Sequence, residues 1–316
     1  MYIAESVTSR HPDKICDIIS DSILDECLRQ DPKSRVAVET IGGHGKIAVY
    51  GEVTTNADVN YFDVIYNMYL EITGKPIKVN TNIVQQSPEI KDKVDTGGAG
   101  DQGLMIGYAC MENEMYMPQE MYYAKKLLEG YEVDGKSQVV MENEAIVKNV
   151  VLSVQGEVQN RLEQRVFKVI GDVPMYCNNI GEFNIGGFDS DSGCTGRKIV
   201  VDSYGGRVPV GGGAFSGKDP SKVDRSGAYM ARWIALQYLR RFSADEVLVK
   251  LGYVIGKAEP LLKEAIVDGR KIRVDYDCRP EAIIERFDLL RPIYRDTAIK
   301  GHFGRDGVPW DVAGMV

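Results

Sequence analysis

The stretch GGGAFSGKDPSKVDRS, residues 211–226, decides how the rest of the chain is read. Its run of glycines leaves the backbone free for φ > 0 and for close approach to another group. Lys218, Lys222 and Arg225 follow, with Asp219 and Asp224 set between them. Asp219-Pro220 has the form of a helix start, an N-cap followed by proline at the first helical position. Bare backbone, a helix N-terminus, cations and carboxylates are thus delivered to one place. A helix N-terminus favours anions, and carboxylates among lysines suit a hydrated Mg²⁺. The combination fits a metal-bound polyphosphate. It also fits a glycine turn before an ordinary capped helix, so the remaining sequence has to separate the two.

At 316 residues the chain has room for two or three domain-sized units with their own cores. Apolar residues make up 44% and charged residues 27%, as in an ordinary globular protein. The net charge of −8 disfavours general binding to nucleic acid or to acidic membranes. An acidic chain that binds polyphosphate must gather its cations locally, as residues 211–226 do. The cysteines (Cys16, Cys27, Cys110, Cys177, Cys194, Cys278) are scattered without a CxxC pair. That argues against zinc and against a disulfide scaffold, and fits a reducing cytosol. There is no run of about 18 apolar residues, and the opening MYIAESVTSRHPDK has no apolar signal region. A cytoplasmic protein is expected.

Taken in order, residues 1–7 read as a strand. Pro12 suits the first position of a helix whose apolar face carries Ile15, Ile18, Ile19 and Cys27 and which stops near Asp31-Pro32. His11, Asp13 and Lys14 then sit at a helix mouth, where unpaired N–H groups point outward. Residues 35–41 and 46–53 alternate as a hairpin around Gly42-Gly43-His44-Gly45. Glu39 and Glu52 lie within it, either as site carboxylates or on an exposed sheet face. A second helix spans Val59 to Ile72 by periodicity. Residues 82–93 are polar with little periodicity and lead into the glycine-rich Gly97-Gly98-Ala99-Gly100-Asp101-Gln102-Gly103, a gate or a linker. Strands are expected at 104–109, 136–141, 145–154 and 247–255, and helices at 118–129, 158–169, 228–242 and 280–290. Pro-x-Lys helix starts recur at Pro12 and Pro220, which suggests a repeated β-rich unit about 100 residues long. Strict βαβ alternation is missing, so the expected class is α+β.

Residues 212–218 fit GxxxxGK, but Asp219 stands where a P-loop needs Ser or Thr, and no apolar strand leads into the glycines. GxSxG and HExxH are absent. The motifs instead resemble the methionine adenosyltransferase, or S-adenosylmethionine synthetase, family. They are Glu5-Ser6-Val7 with His11-Pro12-Asp13-Lys14, Gly98-Ala99-Gly100-Asp101-Gln102-Gly103, Gly193 with Thr195-Gly196-Arg197-Lys198, GGGAFSGKDPSKVDRS, and Gly301-His302-Phe303-Gly304-Arg305, in that order from residue 5 to residue 305.

The resemblance implies three similar β-rich units with helices on one face in a pseudo-threefold arrangement. They are placed here at residues 1–97, 98–185 and 186–316, interleaved in space. It implies a homodimer or dimer of dimers with shared active sites, which joins ATP to L-methionine and then cleaves the triphosphate to phosphate and diphosphate. It implies Mg²⁺, two per site, and K⁺. Carried over by motif, His11, Lys14, Arg197, Lys198, Lys218 and Lys222 grip the triphosphate, and Asp13 and Asp224 hold magnesium. Glu39 holds potassium. Glu52, Gln86 and Asp101, with Asp191 and Lys222, surround methionine. Asp134, Lys136, Phe183 and Asp191 belong to the nucleotide pocket.

Departures from the family's pattern are visible. The chain is short for the family, and the segments 95–98 and 129–136 are abbreviated. Arg10 stands where a glycine is usual, and Glu182 replaces a basic residue in Asn179-Ile180-Gly181-Glu182-Phe183. They leave the triphosphate residues in place and point to a looser gate with faster product release. Two other readings are a triphosphate or nucleotide phosphohydrolase that has lost methionine binding, and a non-catalytic subunit. The presence of Glu52, Gln86, Asp101, Asp13 and Asp224 speaks against both.

Overall fold

The computed structural model describes residues 1–85 and 97–312, and all statements of structure below refer to these. Three four-stranded sheets carry the architecture. Strand β1 (Tyr2–Val7) precedes helix α1 (Pro12–Gln30), the hairpin β2 (Arg35–Gly43) and β3 (Lys46–Thr54), helix α2 (Tyr61–Thr73) and β4 (Lys78–Val84). The pattern then repeats. Strand β5 (Gly103–Cys110) precedes α3 (Gln119–Leu128), the hairpin β6 (Gly135–Met141) and β7 (Val147–Val154), α4 (Gln159–Val169) and β8 (Met175–Cys177). A third time, β9 (Gly193–Cys194) and the short α5 (Ile199–Asp202) precede α6 (Val223–Phe242), the hairpin β10 (Glu246–Tyr253) and β11 (Leu262–Val267), β12 (Arg270–Arg273), α7 (Pro280–Phe287) and α8 (Tyr294–Lys300).

The sheets are β1-β6-β7-β8, β5-β10-β11-β12 and β9-β2-β3-β4. Each hairpin is therefore flanked by a strand that belongs, in sequence, to another repeat. The strand before α1 joins the second hairpin, the strand before α3 joins the third, and the strand before α6 joins the first. This cyclic exchange is the pseudo-threefold arrangement in its topological form. Each long helix packs on the first strand of its own hairpin and on the donated strand: α1 on β2 and β9, α3 on β6 and β1, α6 on β10 and β5.

Local chemistry explains the joints. His44 (φ 49°) and Gly45 (φ 80°) form a two-residue turn whose left-handed conformations match the twist of β2 and β3. Val36, Val38, Ile47 and Val49 alternate inward onto α1, while Glu39, Ile41 and Tyr50 face out. One large core underlies the first and third hairpins, and a smaller one, with Leu127, Val139, Leu152 and Val166, lies between α3, α4 and the second sheet.

Two expectations need correction. Asp219-Pro220 does not start a helix; α6 begins at Val223 with Lys222 as its N-cap residue. Asp219 is drawn away by the sheet, accepting from Val36 N–H (2.7 Å), so residues 219–222 make a turn instead. The polar stretch 82–93 begins in a strand: β4 (Lys78–Val84) runs parallel to β3, held by hydrogen bonding rather than apolar alternation, and residues 86–93 lie outside the described residues. No helix is long and apolar enough to cross a membrane.

Candidate active site

The edge of β2 organises the charged residues. At one end β9 docks on it, with Cys194 facing Ile41 and Thr195 N–H donating to Thr40 O (2.9 Å). At the other end the residues after the glycine run dock on it. Val38 N–H donates to Gly217 O and Asp219 N–H to Val36 O, both at 3.0 Å, and Lys218 faces Ala37. Both docking loops thus lie on one strand, about 13 Å apart for four residues of extended chain. Ala37 also faces Glu52 on β3, which places Lys218, Ala37 and Glu52 in one lateral row. Glu39 stands on the same outward face between the two docking points.

The first group surrounds Asp13, which is fully buried at the start of α1. Its carboxylate accepts from Cys194 N–H (2.9 Å) and Lys198 Nζ (2.5 Å), and Arg197 Nε lies 3.0 Å away. Burial alone would raise its pKa, but these donors outweigh it and hold the carboxyl below the usual range. His11 is the N-cap, its Nδ1 accepting from Asp13 N–H (3.2 Å). Burial and then the Lys198 charge pull the imidazole down to about 4; Asp13 and Asp191 oppose this and Lys136 adds to it. The same charges place Lys136 and Asp191 within electrostatic reach of His11. Lys136 pairs with Glu5 at 2.6 Å. Asp134, raised by burial, accepts from Gly187 N–H (2.8 Å). Phe183 is half-buried nearby in sequence, its carbonyl accepting from Gly156 N–H (2.8 Å).

The second group follows the glycine run. Asp224 Oδ1 accepts from Gly213 N–H (3.0 Å), and its other oxygen pairs with Lys218. Lys222 pairs with the buried Asp219, whose Oδ1 accepts from Ser221 N–H (2.9 Å). The loop that carries Asp101 reaches this group, with Gly100 N–H donating to Ser221 O (3.3 Å).

Lys14 is not gathered into either group: its ammonium is held by Asp202 (2.7 Å) and Asp17 (3.0 Å). These carboxylates, working against burial, hold it above the usual lysine range. Gln86 lies outside the described residues, as do residues 95 and 96 of the abbreviated 95–98 segment. His302 and Arg305 each have a partner within the fold. His302 is fully buried against Tyr229 (Nδ1 to hydroxyl, 2.9 Å), and Arg305 pairs with Asp296 (3.1 Å).

One constellation escaped the sequence reading. Asp13, Asp17, Asp21 and Asp25 recur every four residues along one face of α1, all buried. Each accepts a backbone N–H from far along the chain: Cys194, Gly196, Gly217 and Tyr294 respectively. Asp21 also binds Arg225 through both oxygens (2.9 and 2.6 Å), and Arg225 donates to Lys218 O (3.0 Å). The helix thereby grips both cation-bearing loops from behind. The i, i+4 spacing of aspartates was the available signal.

Among the described residues no three His, Cys, Asp or Glu side chains cluster to hold a metal alone. Asp13 and Asp224 each offer a single carboxylate among cations, which suits Mg²⁺ that arrives with phosphate oxygens and keeps water.

An α+β fold thus carries two cation–carboxylate groups on one sheet, an arrangement suited to a highly charged anion. Three family models match it in succession: the S-adenosylmethionine synthetase N-terminal domain at residues 1–95, the central domain at 96–180 and the C-terminal domain at 185–312. The S-adenosylmethionine synthase of Corynebacterium glutamicum is 40% identical, covering 100% of this chain and 96% of its own. That of Petrotoga mobilis is 40% identical over 98% of this chain and 96% of its own, and that of Clostridium tetani 42% over the same shares. The chain belongs to the S-adenosylmethionine synthetase family. Its alignment with the C. glutamicum protein runs over 389 positions, against 316 residues here, so that relative carries segments this chain lacks.

Proposed function

We infer that this protein makes S-adenosylmethionine from ATP and L-methionine, displacing triphosphate from ribose C5′ and then hydrolysing it to phosphate and diphosphate. The observation that carries the reading is the two cation–carboxylate groups docked on one β2 edge in a chain that belongs to this family throughout its length.

The methionine sulfur carries no proton, so its attack needs no general base. The S–C5′ bond forms as the C5′–O bond breaks, and the electron pair leaves on the triphosphate. What the protein must supply is alignment and stabilisation of that developing charge. Arg197, Lys198, Lys218 and Lys222 supply fixed cations, and neutral His11 offers a ring nitrogen to the triphosphate. Lys14, held by Asp17 and Asp202, acts at one remove by fixing the first turn of α1. Asp13 and Asp224 would hold Mg²⁺, which neutralises phosphate charge when bound. Glu39, on the outward sheet face, would hold K⁺. Glu52, Gln86, Asp101, Asp191 and Lys222 surround methionine; Asp134, Lys136, Phe183 and Asp191 receive the nucleoside.

The two groups stand apart in one copy, and the sheets expose Ile3, Ile41, Tyr50, Leu104 and Tyr176. Such outward apolar residues support self-association through sheet faces. In that homodimer, or dimer of dimers, the first group of one copy meets the second group of its partner. The units are taken as residues 1–97, 98–185 and 186–316 with their leading strands exchanged, and the protein as cytoplasmic. Incubation with ATP, Mg²⁺, K⁺ and methionine should yield the sulfonium product. Phosphate released without it would support a phosphohydrolase instead, and no turnover a non-catalytic subunit.

A further inference from the structure

A cavity of about 490 Å³ lies among the β1–α1 connection, α3, α8 and the loop after α8. Its volume is that of a small-molecule site. Lys14, Lys125, Lys126, Lys300 and Arg305 line it, against Glu129, Asp202 and Asp306. The cavity is thus cationic in a chain whose net charge is −8.

Most of these cations are already answered. Lys14 is held by Asp17 and Asp202, Lys126 by Glu129 (3.3 Å), and Lys300 and Arg305 by Asp296 (2.7 and 3.1 Å). Lys125 differs. Its single hydrogen-bond partner among the described residues is the Phe303 carbonyl (2.7 Å), which leaves ammonium donors over. Burial, partly offset by Asp311 and Asp202 and deepened by Arg232 and Lys14, pulls Lys125 down to about 8. A shielded cation short of acceptors gains more from an incoming anion than a solvated one does. Met117, Leu128 and Ile299 give the same cavity an apolar wall.

We propose that this cavity binds a small organic anion, a phosphate monoester or carboxylate with an apolar flank, its charge on Lys125 and its flank on Met117, Leu128 and Ile299. The site is separate from the two groups docked on β2. It rests on the cavity itself and not on the inferred reaction.

Calorimetric titration of the full-length protein with phenyl phosphate tests it, repeated on Lys125→Met, Lys300→Glu and Lys198→Met. The expected result is one binding event that survives Lys198→Met and weakens by about tenfold or more in Lys125→Met, the loss of a charge-assisted contact. Lys300 is an exposed rim residue, so Lys300→Glu keeps the fold and should weaken the same event. Inorganic phosphate, without the flank, should bind less tightly than phenyl phosphate. Binding abolished by Lys198→Met but untouched by Lys125→Met and Lys300→Glu would put the anion among the β2-edge cations and overturn the proposal. Absence of binding to the wild-type protein, or equal affinity for both phosphates, would overturn it as well.

Discussion

Asp21 and Arg225 are both fully buried, and they hold the loop that presents Lys218. Removing one partner of a buried pair leaves the other charge uncompensated, at a cost of about 3–5 kcal/mol. Asp21→Ala should therefore lose that much in denaturant unfolding, whereas Glu39→Gln on the exposed sheet face should change stability by less than about 0.5 kcal/mol. Asp25 shows a pH effect of opposite sign to the usual carboxylate. Burial pushes it up to about 6 despite the N–H groups of Tyr294 and Arg295. An unfolded aspartate titrates near about 3.9. Between the two values the folded chain holds the extra proton, so the stability from this group falls as pH rises through the window. Asp25→Asn lacks that slope. Urea melts at pH 4.5 and 7 should find the variant, relative to wild type, more stable at the higher pH. At this scale the identity of the cations was legible in the motifs, but their direction was not. Lys14 sits in the same tetrapeptide as Asp13 yet joins Asp17 and Asp202, because one residue along a helix turns a side chain by about 100°.

The joint between β9 and α1 is a close contact between elements. A Cβ on Gly193 would lie 2.1 Å from Pro12 O, in the turn that carries Asp13. Gly193→Ala must push β9 off the helix and stretch the Cys194 N–H to Asp13 bond. Overpacking of this kind costs about 1–3 kcal/mol. The expected outcome is a lowered Tm together with a fall in kcat, measured on the same preparation; unchanged kcat would show that the joint does not position Arg197 and Lys198. Gly217 is bound by the same logic, with φ at +80° and Val38 O only 2.0 Å from an added Cβ. Long elements such as α1, α6 and the β2–β3 hairpin were legible because apolar spacing and turn residues agree. Strands β4, β9 and β12 were not, since short or polar strands take their structure from a neighbour's hydrogen bonds.

Across the whole molecule, each sheet is completed by a strand from another repeat, so no unit closes its core alone. The charged groups follow suit, standing at two points of one strand edge. If two copies share sites, Lys198→Met and Lys218→Met variants should each be inactive. Mixed and allowed to exchange, they should regain roughly a quarter of the sites, because half the dimers are mixed and each of those has one intact site. Assay of the sulfonium product before and after mixing measures this; no recovery would place both groups of a site in one copy.

The sequence by itself determined the family, the α+β class, the repeat of helix and hairpin, and which side chains carry charge, since motif spacing and apolar periodicity are local. Only the tertiary structure decided that leading strands are exchanged, that two loops meet one strand edge, and that buried aspartates on α1 hold those loops and the start of α8 in place. Those facts depend on hydrogen bonds between residues as far apart in the chain as Asp25 and Tyr294, and no local pattern encodes which distant N–H a carboxylate will meet.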